Sequence, residues 1–449
     1  MALKLVVRLV DWATWDRRLA GGRFVAGWDV MTEFEEAFMP MEHDPSIAGR
    51  HKPVPTTNLD LMDPVLVHDP WPAMRALREL GPVLWHESLS RWLVTSERAT
   101  RTVLTQYTRF TVQDTIVSEL FGRDAFIAVD DRAQHDALRN VWSDAFRPRG
   151  LAALRPWVEN MVGDLWAPLA GRLQAGERVD LVAGYCRTIP TLVIAQLMGV
   201  PEDALPDIVR WSDALAASTD TYARPEAQLR ARALRQEAQA ALAQFILVLI
   251  GERRKCPGED LISALIQSPP GRALPDELLM QNIRQLLFAG NETTAKWLAQ
   301  IFVVYGEQPD VRRRLCKDPG LIRNANEEVL RWQAVVGTVV RRVTGGPIQL
   351  EGIELADGDG ITCVLAAANR DPARHKEPDR FEMQRELHSQ LGFGVGLHHC
   401  LGAMLARMEA EIAVKTLLAT TPDYEIAAPY TYGSLSMRGP LPVVIEACV

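Results

Sequence analysis

The chain has 449 residues, 47% hydrophobic and 24% charged, the composition of an ordinary globular protein able to bury a large core without disulfides or metal. Its 49 basic and 57 acidic residues leave a net charge of −8, so nucleic-acid binding by counterion release and adhesion to acidic membranes lack the cationic surface they need. The six cysteines (Cys186, Cys256, Cys316, Cys363, Cys400 and Cys448) contain no C-x-x-C pair, which argues against a zinc knuckle, an iron–sulfur cluster or a disulfide framework.

Residues 1–60 read as an N-terminal extension ending in the extended connector His51–Pro55. Arg8 and Asp11 interrupt what would otherwise resemble a signal-peptide core, and an amphipathic surface helix is the better reading. The longest clean apolar run is Phe245–Ile250, far below the roughly 18 residues a membrane span needs, so no membrane span and a cytoplasmic location are expected. From about residue 70 to 325 the spacing is helical. One long amphipathic helix is predicted over Glu226–Arg254, with Leu234, Ala238, Ala241, Leu242, Phe245 and Leu249 as its buried stripe. A second, apolar on more than one face and therefore central, is predicted over Pro275–Tyr305. Around 347–366 the period changes to two: Ile348 and Leu350, a Glu351-Gly352 turn, Ile353 and Leu355, then a strand over Ile361–Ala368. The fold class expected is mainly α with a small β region (α+β).

Four places break the local rules. Ala289-Gly290-Asn291-Glu292-Thr293-Thr294 puts Gly, two β-branched residues and a carboxylate inside the central helix, at up to about 1 kcal/mol per residue in propensity alone. The alternative to a functional role there is Thr back-bonding to the preceding turn. Glu328 and Arg331 share a helix face and on spacing alone read as a surface ion pair. His135 and Arg139, four apart on a helix that Asp130 or Asp131 could cap, suit an anion or plain solvent. Finally, Gly392-Phe393-Gly394-Val395-Gly396-Leu397-His398-His399-Cys400-Leu401-Gly402 precedes an Ala-rich helix. It lacks the phosphate-loop patterns, and three consecutive residues rarely converge on one zinc ion. A lone cysteine at a helix N-terminus, lined by glycine, is what an axial haem ligand requires.

Residues Phe393–Gly402 match the cysteine-loop signature F-G-x-G-x-H-x-C-x-G at every fixed position, and the chain thereby resembles the cytochrome P-450 haem-thiolate monooxygenases. The A-G-x-[DE]-T-T motif at 289–294, the E-x-x-R pair Glu328/Arg331 and the P-x-R-F element Pro378–Phe381 follow the family's order. The resemblance covers about residues 62–449, which replaces a length-based prior of three domains by one haem-binding domain, 61–449, after the extension. It implies the family's fold, with haem b between the central helix and the cysteine loop and its helix. Cys400 would be the iron ligand, with Phe393, Gly394 and Gly402 around it, and Ala289 and Gly290 on the opposite side, where Gly290 leaves room for O₂. Arg342, ten residues before Gly352, would pair with a haem propionate, joined by His135, Arg139 and His398. Glu292 and Thr293 would be the acid–alcohol pair that delivers protons. Glu328, Arg331 and Arg380 would form a structural triad behind the cysteine loop.

The implied reaction inserts one oxygen atom of O₂ into a small to medium apolar or aromatic substrate, by hydroxylation or oxidative O-dealkylation. Phe126, Phe288, Val335, Val336, Val339 and Met437 are its expected pocket. Forty-nine residues follow Cys400, too few for a reductase, so electrons are expected from a ferredoxin or flavodoxin with an NAD(P)H-dependent reductase. Arg139, Arg147, Arg149 and Arg407 would be docking charges, although solvated-face arginines are the commoner outcome. A peroxide-driven relative is disfavoured by the intact acid–alcohol pair, and a non-catalytic haem sensor would leave that pair without purpose.

Overall fold

Six short strands build the main sheet: β1 (Thr56–Thr57), β2 (Val83–His86), β3 (Arg91–Val94), β4 (Phe110–Thr111), β5 (Val339–Val343) and, after the hairpin of β6 (Ile348–Leu350) and β7 (Ile353–Leu355), β8 (Gly360–Cys363). Their order is β1-β2-β3-β8-β5-β4, with β1/β2 and β3/β8 parallel and the remaining pairs antiparallel. This computed structural model describes residues 54–219, 225–386 and 390–448. The expected N-terminal surface helix and most of the connector lie outside the described residues. Strand pairing already begins at Thr56, within the stretch read as extension, and the compact unit runs from Pro55 to Val449.

The helices that matter for the site are α1 (Ile116–Phe121), α2 (Arg132–Ser143), α3 (Pro148–Gln174), α4 (Thr188–Met198), α5 (Leu205–Ala217), α6 (Pro225–Lys255), α7 (Asp276–Ala289), α8 (Glu292–Glu307), α9 (Ile322–Gln333), α10 (Leu365–Ala368) and α11 (Ala403–Thr420). Asp131 caps α2 by accepting the Gln134 N–H at 2.8 Å. The predicted central helix is two helices. Asn291 has φ −98° and ψ −68°, and its N–H reaches back only three residues to the Phe288 carbonyl, so the helix tightens and restarts at Glu292. Gly290 sits at this joint, where an added Cβ would stand 2.9 Å from Ile194 of α4. The missing side chain therefore makes room for α4. The strand predicted over Ile361–Ala368 stops at Cys363, and α10 takes its second half because the Ala366 N–H turns to the Gly337 carbonyl.

Three amide side chains of α7 clasp the segment after α1. Gln281 Oε1 accepts the Asp124 N–H at 3.4 Å, Asn282 Oδ1 that of Phe126 at 3.0 Å, and Gln285 Oε1 that of Ile127 at 3.1 Å. From α6, Arg235 pairs with Glu119 at 2.9 Å. That contact explains a departure in the α6 stripe: Arg235 takes the inward position at that level, and Leu234, turned about 100° away, is 56% exposed. Ala238, Leu242 and Leu249 are buried as expected. By length and composition α6 could cross a membrane, yet it packs along α5 and α7.

Leu234→Glu is expected to change stability by no more than about 0.5 kcal/mol, whereas Leu242→Glu, which buries an unpaired charge, costs about 3 kcal/mol or more. Thermal unfolding of the two variants beside the parent measures the difference.

Candidate functional site

The cysteine loop folds as its glycines require. Gly394 and Gly396 have φ of +66° and +78°, and a Cβ on Gly396 would lie 2.5 Å from the Leu104 carbonyl, so neither place admits another residue without strain. Within this frame the Cys400 N–H donates to the Phe393 carbonyl at 2.9 Å, just before α11 begins. Burial pushes the Cys400 thiol up, while the Gly402 N–H and the nearby guanidinium groups of Arg139 and Arg407 favour its thiolate. The cysteine is set deep in the chain, yet its side chain is accessible. Ala289, in the last turn of α7, is likewise exposed although its neighbours Leu287 and Phe288 are buried.

Cationic groups from three segments gather near this loop. His135 and His398 stack edge to face with centroids 5.4 Å apart. One nitrogen of each meets a carboxylate, His135 Nδ1 with Asp136 at 2.9 Å and His398 Nε2 with Asp130 at 3.3 Å. The other nitrogens, His135 Nε2 and His398 Nδ1, are buried without a protein partner. Burial lowers the pKa of both rings and of the Arg139 guanidinium. Arg342 is not with them: its Nη1 donates to the Gly358 carbonyl at 2.9 Å and its Nη2 to that of Asp114 at 3.4 Å. Its neighbour Arg341 is buried within electrostatic reach of His398 and Asp130. Adjacent residues on β5 face opposite ways, and the register with β8 puts Arg341 opposite Ile361 and Arg342 opposite Gly360. A count back from Gly352 carries no information about which face the register selects, and Arg342 keeps a buried Nε without a protein partner.

At the helix joint Glu292 is buried and pairs with Lys296 at 3.0 Å, while Lys296 also donates to the Met437 carbonyl at 3.1 Å. Arg187 of the α4 entrance contacts Asp213 of α5, and burial, with Glu292 nearby, pushes the Asp213 carboxyl up against the opposing pull of Arg187. Thr293 Oγ1 donates to the Ala289 carbonyl at 3.2 Å, so the back-bonded geometry is present. Four of the expected pocket residues, Phe126, Phe288, Val335 and Met437, are buried in the hydrophobic core. Phe126 is 3% exposed between Trp142 and His135, with ring centroids at 5.7 and 5.9 Å, and Val335 is 2% exposed. Phe288 packs on Phe121 at 5.4 Å, Val336 bridges to Met437, and Val339 is half-buried on β5.

Glu328 and Arg331 form no surface pair: both side chains are fully buried and joined through two hydrogen bonds of 2.7 and 2.8 Å. Arg331 also donates to the carbonyls of Asn369 and Pro378, both at 2.9 Å. The third side chain is Arg385, whose Nε lies 3.1 Å from Glu328 Oε1. Arg380 contributes its carbonyl, while its guanidinium is 64% exposed and meets Glu377 and Glu382 only at 3.7 and 3.9 Å. Of the expected docking charges, Arg147 is paired with Asp144 at 2.6 Å and Arg407 with Glu327 at 2.6 Å.

The family model for cytochrome P450 matches residues 73–319 and 320–420. The chain belongs to the cytochrome P450 family. It is 34% identical over 322 residues to mycinamicin IV hydroxylase/epoxidase of Micromonospora griseorubida, covering 70% of this chain and 78% of that one. It is 33% identical over 381 residues to the monooxygenase PikC of Streptomyces venezuelae, covering 82% and 88%. The structure of CYP109E1 from Bacillus megaterium in complex with testosterone superposes with a TM-score of 0.79 at 26% identity, covering 86% and 100%. A P450 carries haem, and the residues present fit it: an accessible cysteine beside a helix N-terminus, and two buried imidazole nitrogens, near Arg139 and Arg341, that lack a protein partner and could meet a propionate oxygen. This P450 is an oxygen-inserting oxidoreductase of mainly α architecture with small sheets, as expected. Arg341, Arg385 and Asp213 escaped the motif reading because each is brought to the site by packing and not by spacing, whereas Lys296, four residues after Glu292 on α8, was open to discovery by helical spacing.

Two outcomes follow from this geometry. Arg331→Ala leaves Glu328 buried with Arg385 alone and costs about 3–5 kcal/mol, whereas Arg380→Ala stays within about 0.5 kcal/mol; urea unfolding and haem content of the purified protein measure both. Glu409 on α11 is fully buried, its Oε2 meets no donor, and burial pushes its carboxyl well above the ordinary 4.5. The native state thus holds a proton that the unfolded chain releases, so stability falls as pH rises above 4.5 toward the raised value. Glu409→Gln should flatten the melting temperature against pH and raise it most at alkaline pH.

Proposed function

We propose that this P450 inserts one oxygen atom of O₂ into a small to medium apolar or aromatic substrate, by hydroxylation or oxidative O-dealkylation. The observation that carries the reading is the setting of Cys400: accessible, hydrogen-bonded through its backbone to Phe393, and facing the N-terminus of α11. When bound there, haem supplies an iron on which O₂ is activated. Cys400 holds the iron, and His135, Arg139, Arg341 and His398 hold the propionates; Arg341 replaces the Arg342 of the motif count. Phe393, Gly394 and Gly402 shape the cysteine side, and Ala289 the opposite side.

Glu292 is the proton-delivering carboxylate. Lys296 holds it at 3.0 Å, and the adjoining Asp213, whose carboxyl burial pushes up, can hold a proton near it. Thr293, back-bonded to Ala289, presents its hydroxyl at the joint between α7 and α8. The apolar character of Phe288, Val336, Val339 and Met437 supports an apolar substrate, as does the testosterone bound by the structural neighbour. Electrons come from a ferredoxin or flavodoxin with an NAD(P)H-dependent reductase, in the cytoplasm; with Arg147 and Arg407 paired and Arg139 on a propionate, Arg149 is the one of the four expected charges left for docking.

The test is the reduced, carbon-monoxide-bound difference spectrum of the parent and of Cys400→Ala. A thiolate-type Soret band in the parent alone supports the reading; its absence from the parent overturns it. With surrogate ferredoxin, reductase and an apolar substrate panel, Glu292→Gln and Thr293→Ala should lower product formed per NAD(P)H consumed by about tenfold or more. Unchanged coupling would remove both residues from proton delivery.

A further inference from the structure

Glu327 lies beside the buried Glu328 but faces another way, and two parts of the cysteine surround converge on it. Its carboxylate takes Arg407 Nε at 2.6 Å and Arg407 Nη2 at 3.1 Å from α11, and Gln390 Nε2 at 3.0 Å from the start of the cysteine loop. Glu327 is 12% exposed and Arg407 25%, so this two-toothed pair is partly desolvated and sets the guanidinium plane. Held in this way, the Arg407 guanidinium carbon stands 4.3 Å from the centroid of the Phe393 ring. Trp297 meets the same ring edge to face at 5.7 Å. Phe393 in turn accepts the Cys400 N–H, and Arg139 and Arg407 are the two cations whose field reaches the Cys400 sulfur.

A solvent-facing arginine needs no such anchoring. Here a cation is fixed over the aromatic that borders the sulfur, with its counter-charge held by α9. One-electron reduction of the iron adds one negative charge to the iron–sulfur unit and no atoms. A fixed positive charge favours the state with the extra electron, and a more distant carboxylate opposes it.

We infer that Arg407, oriented by Glu327, is a positioning residue that raises the reduction potential of the haem iron held by Cys400. The inference rests on the haem-thiolate reading above, and the two fail differently. A parent without the thiolate-type carbon-monoxide band defeats that reading, whereas the present one is decided by the midpoint potentials of variants that keep the band.

The measurement is a spectroelectrochemical titration of the purified holoprotein and of Arg407→Gln, Arg407→Lys and Glu327→Gln. Arg407→Gln should lower the ferrous/ferric ratio at fixed potential by about three- to tenfold, tenfold being about 59 mV for one electron. Arg407→Lys, which keeps the charge, should lie closer to the parent. Glu327→Gln should shift the potential the opposite way, upward. A merely structural role would lose haem or move all three in one direction. The inference is overturned if Arg407→Gln and Glu327→Gln shift the same way, or if neither moves the ratio by threefold while the band persists. Should Arg407→Gln fail to hold haem, an upward shift in Glu327→Gln supports the inference and its absence overturns it.

Discussion

A guanidinium buried to the last atom must find acceptors for its donors or remain unfolded, and Arg331 meets that demand by gathering a chain segment around itself. Glu328 on the same helix takes two of its N–H groups, and the carbonyls of Asn369 and Pro378 take others. Glu328 then accepts the Glu382 N–H at 3.0 Å and the Arg385 guanidinium. One ion pair thus fixes the irregular stretch between α10 and the cysteine loop, which has little regular structure of its own. Asn369 continues the arrangement by accepting the Leu391 N–H at 2.7 Å, two residues before Phe393. The position of Cys400 is set from this pair outward.

The parts of the fold that sequence disclosed are those fixed by short-range rules. Periodicity located α6 and the β6/β7 hairpin, and two glycines of the cysteine loop, Gly394 and Gly396, sit where positive φ demands them. Errors arose where a tertiary partner overrode a local preference. Leu234 fitted the helical stripe, but Arg235 had Glu119 to meet and took the inward place. The central helix read as continuous because apolar residues continue through it, whereas the joint at Gly290-Asn291 depends on Ile194 from a distant helix.

The site divides along the same line. Cys400, Phe393 and the Glu328/Arg331 pair lie within contiguous motifs and were legible. His135 and His398 were legible as candidates, and the contact between their rings, across more than two hundred and fifty residues of chain, is a product of folding. Arg341 and Arg385 each stand close in sequence to the arginine that the motif selects. Choosing between neighbouring arginines requires strand register in one case and the path of an irregular loop in the other. Arg407, expected at the surface for a partner, turned inward because Glu327 and Phe393 offered it both an anion and a ring.

The amide clasp between α7 and residues 124–127 bears on how this part of the fold can move. Three backbone N–H groups are spent on Gln281, Asn282 and Gln285, and lifting the segment breaks them together. At about 1 kcal/mol net each, the displaced form is held to roughly one molecule in a hundred or fewer. The segment is fixed like a mould and does not swing like a door. Adjustment on this side of α7 must then come from rotamer changes in rings such as Phe121 and Phe288, a steric grain finer than a hinged segment would allow.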